Sequence, residues 1–374
     1  MQQSIKKLIE VSQKFGKDKN YTIAGGGNTS FKTDKELWVK ASGYGLANIT
    51  EEGFVRMNRK KLDVISTKEY SKESFLRERE VKDDLEKACI DKGKRPSVET
   101  SLHNALYYAF VVHMHPFLIN AILCSNEAEQ TVERLWGNDV LYVPYTDPGY
   151  VLFKKVEAEI HRFKGLKGYC PKVILLQNHG IFVGSDTVEE VEMIYTNMMN
   201  DILQTLPSEA RSLTFSGLPF DLEHEVRLPD DFLKSKGLLF KGRNNRLIER
   251  FSRNKDEFSK ISAPFTPDII VYCKSKYLFI ESSIQQNSSA IENAMVNFHS
   301  ETGYFPKILI IQGKGFVGIG ESEKQVNTAL DVFEDQMKIA WFSDFFGGPH
   351  FMEPQQISFI DSWEVENYRR KISG

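Results

Sequence analysis

The chain has 374 residues, of which 41% are hydrophobic and 26% charged, and a formal net charge of −3. That is material for two ordinary soluble domains, and it offers no basic surface for nucleic acid and no reason to expect a membrane as partner. The four cysteines (Cys89, Cys124, Cys170, Cys273) are scattered with no C-x-x-C pair, which predicts reduced thiols and not a disulfide framework.

Ile5, Leu8, Ile9 and Val11 predict a helix over 3–15, stopped by Gly16 and a Lys/Asp cluster. Its apolar stretch is too short and interrupted for a signal peptide, and no segment is long enough to span a bilayer, so a cytoplasmic location is expected. Residues 22–32 read as a strand interrupted by Gly25-Gly26-Gly27, and residues 37–41 as a strand leading into Ser42-Gly43-Tyr44-Gly45. The charged stretch 54–94 is expected to be mostly helical. A helix over 97–108 would carry Glu99 and His103 on one face. The apolar run Phe110-Val111-Val112 then predicts a strand ending in His113-Met114-His115.

A strand repeats its side-chain direction every two residues, so His113 and His115 point to one face. Two imidazoles on one strand are half of a tetrahedral site. His179, in Leu176-Gln177-Asn178-His179-Gly180, would complete the three-ligand shell of a catalytic zinc, with Glu99 as a nearby acid or base. Three imidazoles also suit cobalt or manganese.

Shifting the chain by 135 residues superposes 156–191 on 291–326 without a gap, with nine of 36 positions identical. The shared signature includes Gly168/Gly303, Tyr169/Tyr304, Pro171/Pro306, Lys172/Lys307, Gln177/Gln312 and Gly180/Gly315. Both copies read as helix, Gly-Tyr-x-Pro-Lys turn, buried strand, Gln-x-x-Gly turn, strand and helix, which predicts an internal duplication. Two related α/β domains follow, 1–210 and 211–374, divided within 205–230. Lys314 stands where His179 does, so the second domain is expected to be metal-free. The stretch Gly313–Gly318 fits G-x-G-x-x-G. Its duplicate is a strand–turn–strand, however, and a dinucleotide site needs a helix opening on the glycines.

Gly26-Gly27-Asn28-Thr29-Ser30, Pro96-Ser97-Val98-Glu99 with His103, Val112–His115 and Gln177–Gly180 resemble the class II aldolase/adducin family, in that family's order over roughly residues 20–200. Residues 228 onward are similar to the segment following the aldolase part of rhamnulose-phosphate aldolase/dehydrogenase fusions, without the dehydrogenase half. The resemblance implies a three-layer α/β/α fold, a divalent zinc-type metal, and an active site at a subunit interface of a homo-oligomer, with a tetramer favoured. It implies a small-molecule sugar phosphate as substrate. Tyr145 is similar in position to the family's tyrosine that protonates the aldehyde oxygen. Ser42, Gly43 and Ser97 resemble its phosphate contacts.

From the residues themselves, a metal on His113, His115 and His179 would act as a Lewis acid on an enediolate, and Glu99 would shuttle the proton on its carbon. Glu99 could equally be a first-turn carboxylate complementing a helix dipole. Gly27 and its neighbours allow a backbone nest for an anion, with Asn28 fixing the loop or binding the ligand. Val98 replaces a serine that the family's phosphate aldolases tend to have, and so removes one hydroxyl donor. His103 is expected to support Glu99 or a ligand. His161, His224, His299 and His350 have no partner pattern. The expected activity is a metal-dependent aldolase on a ketose phosphate or related sugar acid. The rivals are a sugar-phosphate 4-epimerase, a dehydratase and a non-enzymatic adducin-like module.

Overall fold

The computed structural model describes residues 1–211, 218 and 222–362. The chain divides into two compact units: Met1–Leu123 with Glu127–Thr205, and Cys124–Asn126 with the described part of Leu206–Gly374. Residues 212–217 and 219–221, in the stretch expected to divide the domains, lie outside the described residues.

The first unit opens with α1 (Gln2–Lys17), which buries Ile5, Leu8, Val11 and Phe15. The strand expected over 22–32 forms only after the glycines, as β1 (Asn28–Lys32). Before it the backbone turns, with Gly26 N donating to Ile23 O and Gly27 at φ 73, a left-handed conformation that cannot continue a ladder. After β2 (Glu36–Lys40), the stretch expected to be mostly helical begins with a third strand, β3 (Phe54–Asn58). Its Phe54, Val55 and Met57 are fully buried, and pairing with β2 overrides the charged context. Then come α2 (Arg59–Thr67), α3 (Ser74–Ala88) and α4 (Thr100–Ala105), the last shorter than the 97–108 expected.

The remainder is β4 (Phe110–Met114), α5 (Phe117–Leu123), α6 (Ala128–Trp136), β5 (Leu141–Val143), α7 (Tyr150–Lys167), β6 (Val173–Leu176), β7 (Gly180–Ser185) and α8 (Val188–Thr205). The sheet order is β3-β2-β1-β4-β7-β6-β5. Helices α2, α3, α4 and α7 cover one face, and α1, α5 and α8 the other, giving the expected three-layer α/β arrangement. Central β4 is buried at every position. Val111 and Val112 each contribute roughly 1.5–3 kcal/mol by burial, so the strand holds its place independently of the histidines.

The second unit contains β8 (Leu239–Arg243), β9 (Leu278–Ile280), β10 (Ile308–Ile311) and β11 (Gly315–Gly320), in the order β8-β11-β10-β9. Its pairing senses reproduce those of β4-β7-β6-β5: antiparallel, antiparallel, parallel. Small details repeat too. Gln177 N donates to Val143 O and Gln312 N to Ile280 O; Gly168 and Gly303 each end a helix in the left-handed conformation. Asn178 (φ 53) and Gly313 (φ 69) occupy the same left-handed turn position, which asparagine tolerates better than most residues. The repeat is therefore structural. Phe182 pairs with His113 in the first sheet and Val317 with Gly242 in the second, so Gly242, Asn244 and Lys314 stand where the three histidines do. The Gly313–Gly318 stretch is a turn between β10 and β11, and no helix opens on its glycines.

Candidate metal centre

His113 lies near the end of β4, His115 just beyond it, and His179 in the tight turn joining β6 to β7. Their ligand nitrogens lie within 4.8 Å of one another, and His113 Nε2 is 2.9 Å from His115 Nε2. His113 is fully buried, the other two partly. Its Nδ1 lies 2.9 Å from Ile181 O, and a carbonyl only accepts, so the hydrogen is on Nδ1 and Nε2 is left free as a ligand. Its ring stacks on Phe182 at 3.9 Å and 13°, which fixes its rotation. Asn120 of α5 donates to His179 O and steadies the turn. Gly180 leaves room for the rings: a Cβ there would lie 2.6 Å from His115 Cδ2 and 3.3 Å from His113 Cε1. Three imidazoles at these separations fit a tetrahedral divalent ion, whose ligand nitrogens stand ~2.0–2.1 Å from the metal.

Glu99 is the N-cap residue of α4, yet its side chain makes no capping bond. Its Oε1 lies instead 3.2 Å from His113 Nε2 and 3.3 Å from His179 Nε2. The helix-dipole role thus does not account for where the carboxylate goes. Burial alone would raise the Glu99 pKa, but His113 and His179, when their Nε2 atoms carry a proton, hold it well below the usual range by charge and hydrogen bonding.

Asn28, directly across the ladder from His113, donates from Nδ2 to Ser97 Oγ at 2.6 Å and to Glu99 Oε2 at 3.4 Å. Its Oδ1 is buried without a hydrogen-bond partner among the described residues. Ser97 Oγ also accepts from Glu99 N. Ser42 N donates to Arg95 O and Ala41 bridges to Pro96, which lays the Ser42–Gly43 turn beside the Ser97 segment. Tyr145 N donates to Gln177 Oε1, tying it to the turn that bears His179, and its hydroxyl donates to Asp147 Oδ1 at 3.2 Å. Burial first, then the Asp147 charge, raise the tyrosine's pKa and keep it protonated.

The His103 ring hydrogen-bonds neither Glu99 nor a ligand directly; Nδ1 pairs with Ser30 Oγ at 2.8 Å, and Nε2 is buried without a partner among the described residues. Burial lowers its pKa to about 3, so it is neutral. Sequence reasoning missed Ser30, Lys32 and Lys40, all buried. Lys40 Nζ donates to Gly25 O and Tyr44 O, joining the glycine loop to the Ser42–Gly43 turn. The signal for Ser30 and Lys32 was available: they share the period-two face of Asn28.

Fold and cluster together define an α/β protein with a candidate divalent-metal centre at one end of its sheet. Residues 6–199 match the family described as Class II Aldolase and Adducin N-terminal domain, and the chain belongs to that family. A curated relative, the uncharacterized oxidoreductase YuxG of Bacillus subtilis strain 168, is 24% identical over 418 residues, covering 99% of this chain and 58% of the relative. The chain thus spans little more than half of that protein's length. Among solved structures, the N-terminal class II aldolase domain of a conserved Thermoplasma acidophilum protein is 29% identical with a TM-score of 0.46, over 54% of this chain and 92% of that one. L-fuculose 1-phosphate aldolase from Glaciozyma antarctica PI12 is 14% identical with a TM-score of 0.36, over 58% and 76%. No helix among the described residues is long and apolar enough to cross a membrane.

Proposed function

We propose that the chain is a divalent-metal-dependent aldolase, a carbon–carbon lyase that reversibly cleaves a ketose phosphate of the rhamnulose or fuculose 1-phosphate type, or a related sugar acid, through an enediolate. One observation carries this reading: three imidazole nitrogens from two elements converge within 4.8 Å, with a carboxylate 3.2 Å and 3.3 Å from two of them. His113, His115 and His179 would hold the ion, zinc first, with cobalt or manganese as alternatives; when bound it supplies Lewis acidity where negative charge develops on substrate oxygens. Glu99 moves the proton at the enediolate carbon, as base in condensation and acid in cleavage. The protonated Tyr145 phenol is the acid for the aldehyde oxygen. Gly27, Asn28, Ser42, Gly43 and Ser97 receive the substrate's anionic group. Val98 offers that group no hydroxyl, so affinity for it rests on the other five.

The protein is proposed to work in the cytoplasm as a homo-oligomer, a tetramer favoured. We place catalysis in 1–210 and treat 211–374 as a metal-free relative with a scaffold role, because Gly242, Asn244 and Lys314 supply no imidazole. The test is a panel of ketose 1-phosphates, rhamnulose and fuculose first, assayed for triose phosphate and aldehyde with the metal-replete protein. An isomeric ketose or a water-loss product instead would replace the aldolase reading by epimerase or dehydratase. Less than a tenth of an equivalent of metal after metal-replete expression would sink the enzyme reading altogether.

A further inference from the structure

Three alternate residues of β1 grip one segment. Asn28 Nδ2 bonds Ser97 Oγ and Glu99 Oε2, and Ser30 Oγ pairs with His103 Nδ1 at 2.8 Å. Lys32 Nζ donates to His103 O at 2.6 Å and to Leu106 O. Residues two apart on a strand share a face, so these contacts form a polar ladder along the whole of 97–106, from the glutamate to the end of α4.

The ladder matters because α4 cannot place itself. A helix of six residues has almost no stability of its own, and its position comes from tertiary contacts. Buried Leu102 and Leu106 hold it down on the apolar side. Apolar packing is non-directional, and leaves sliding along the sheet weakly determined. Directional bonds at both ends settle it. Lys32 is only 5% exposed, and an ammonium is a costly group to bury where an aliphatic side chain would pack. Its two acceptors are carbonyls at the C-terminal end of α4, where helical partners run out. The same strand is paired with β4, Asn28 opposite His113, so one hydrogen-bonded unit references the carboxylate to the histidines.

We propose that Lys32 and Ser30 are positioning residues for Glu99: through the far end of α4 and the His103 ring they set the carboxylate's place beside the metal centre. This rests on the centre proposed above. Neither residue bonds Ile181, whose carbonyl holds His113 Nδ1, or Asn120, which holds the backbone carbonyl of His179, so metal stoichiometry should survive their loss.

The test uses the full chain loaded with cobalt, whose visible absorption reports on the groups around the ion without any substrate. Lys32→Met, Ser30→Ala, Ser30→Thr and Glu99→Gln are compared with wild type. Expected are one cobalt per chain in all five, bands in Lys32→Met and Ser30→Ala displaced toward those of Glu99→Gln, and return to the wild-type spectrum in Ser30→Thr. In the aldol assay the two disruptive variants should lose about tenfold in kcat with KM within twofold. Wild-type spectra in both Lys32→Met and Ser30→Ala overturn the proposal, whatever their melting temperatures. If Lys32→Met fails to fold, Ser30→Ala, which removes one oxygen, decides alone. If Glu99→Gln itself leaves the spectrum unmoved, the carboxylate does not face the ion, and the reading of the centre fails together with this one.

Discussion

Gly180→Ala adds one methyl group at the start of β7, and the structure shows where it would go. The new carbon would lie 2.6 Å from His115 Cδ2, 2.6 Å from Met114 O and 3.3 Å from His113 Cε1. Ordinary carbon contacts fall at about 3.5–4.0 Å, so roughly 1 Å of overlap must be relieved. Met114 O belongs to a central strand paired on both sides and cannot yield cheaply. The His115 ring or the turn carrying His179 must therefore move. Metal–ligand distances tolerate only about 0.2 Å, so either movement takes a nitrogen out of range. Zinc affinity should fall at least ~100-fold, while the metal-free fold loses about 1–3 kcal/mol as an overpacked core site does. Competition against a chromophoric chelator measures the first, and denaturant unfolding of the metal-free protein the second. Zinc affinity within threefold of wild type would refute the reasoning, because the rings would then not need the space the glycine leaves.

His179→Ala should abolish metal binding, and Lys314→Ala, at the repeat position, should leave one equivalent bound; elemental analysis of both distinguishes one centre from two. Glu99→Gln should keep the metal and lower turnover by about 10²–10⁴-fold, the usual size of a lost acid–base group, and equal activity would remove Glu99 from the chemistry. Asp335, in the helix Glu323–Ser343, has a carboxylate oxygen buried without a partner among the described residues. Burial first, opposed by Lys338 and aided by Glu334, Asp268 and Asp331, raises its pKa to about 7. A raised folded pKa means the folded state holds its proton more tightly. Stability is therefore lost as pH rises from about 4 through 7, and Asp335→Asn should be more stable than wild type at pH 8 by on the order of 2 kcal/mol. Unfolding at pH 8 and pH 4 checks this, and an equal difference at both would exclude titration of Asp335 as the cause.

Much of the centre was legible because its signals are local. His113 and His115 share a face by strand period alone, and the Gln-x-x-Gly turn appears twice at one offset. Gly27 announced a left-handed bend, although the strand begins only after it. β3 was misjudged because lysines and arginines crowd the residues beyond Asn58, and only pairing with β2 decides that Phe54, Val55 and Met57 go inside. His103 does follow Glu99 by one helical turn, its N donating to Glu99 O, but its ring turns to Ser30 and not to the carboxylate.

The sequence by itself determined the candidate donor set, the chain's internal repeat and the family, because side-chain chemistry, period two and a fixed offset need no third dimension. Only the tertiary structure decided that Glu99 reaches His113 and His179, that Asn28 faces His113, and that Lys32 ends on the carbonyls of α4. Those contacts join residues up to 80 positions apart (Glu99 to His179) through sheet register and helix docking. Both are set by burial of the whole unit, which no local spacing encodes.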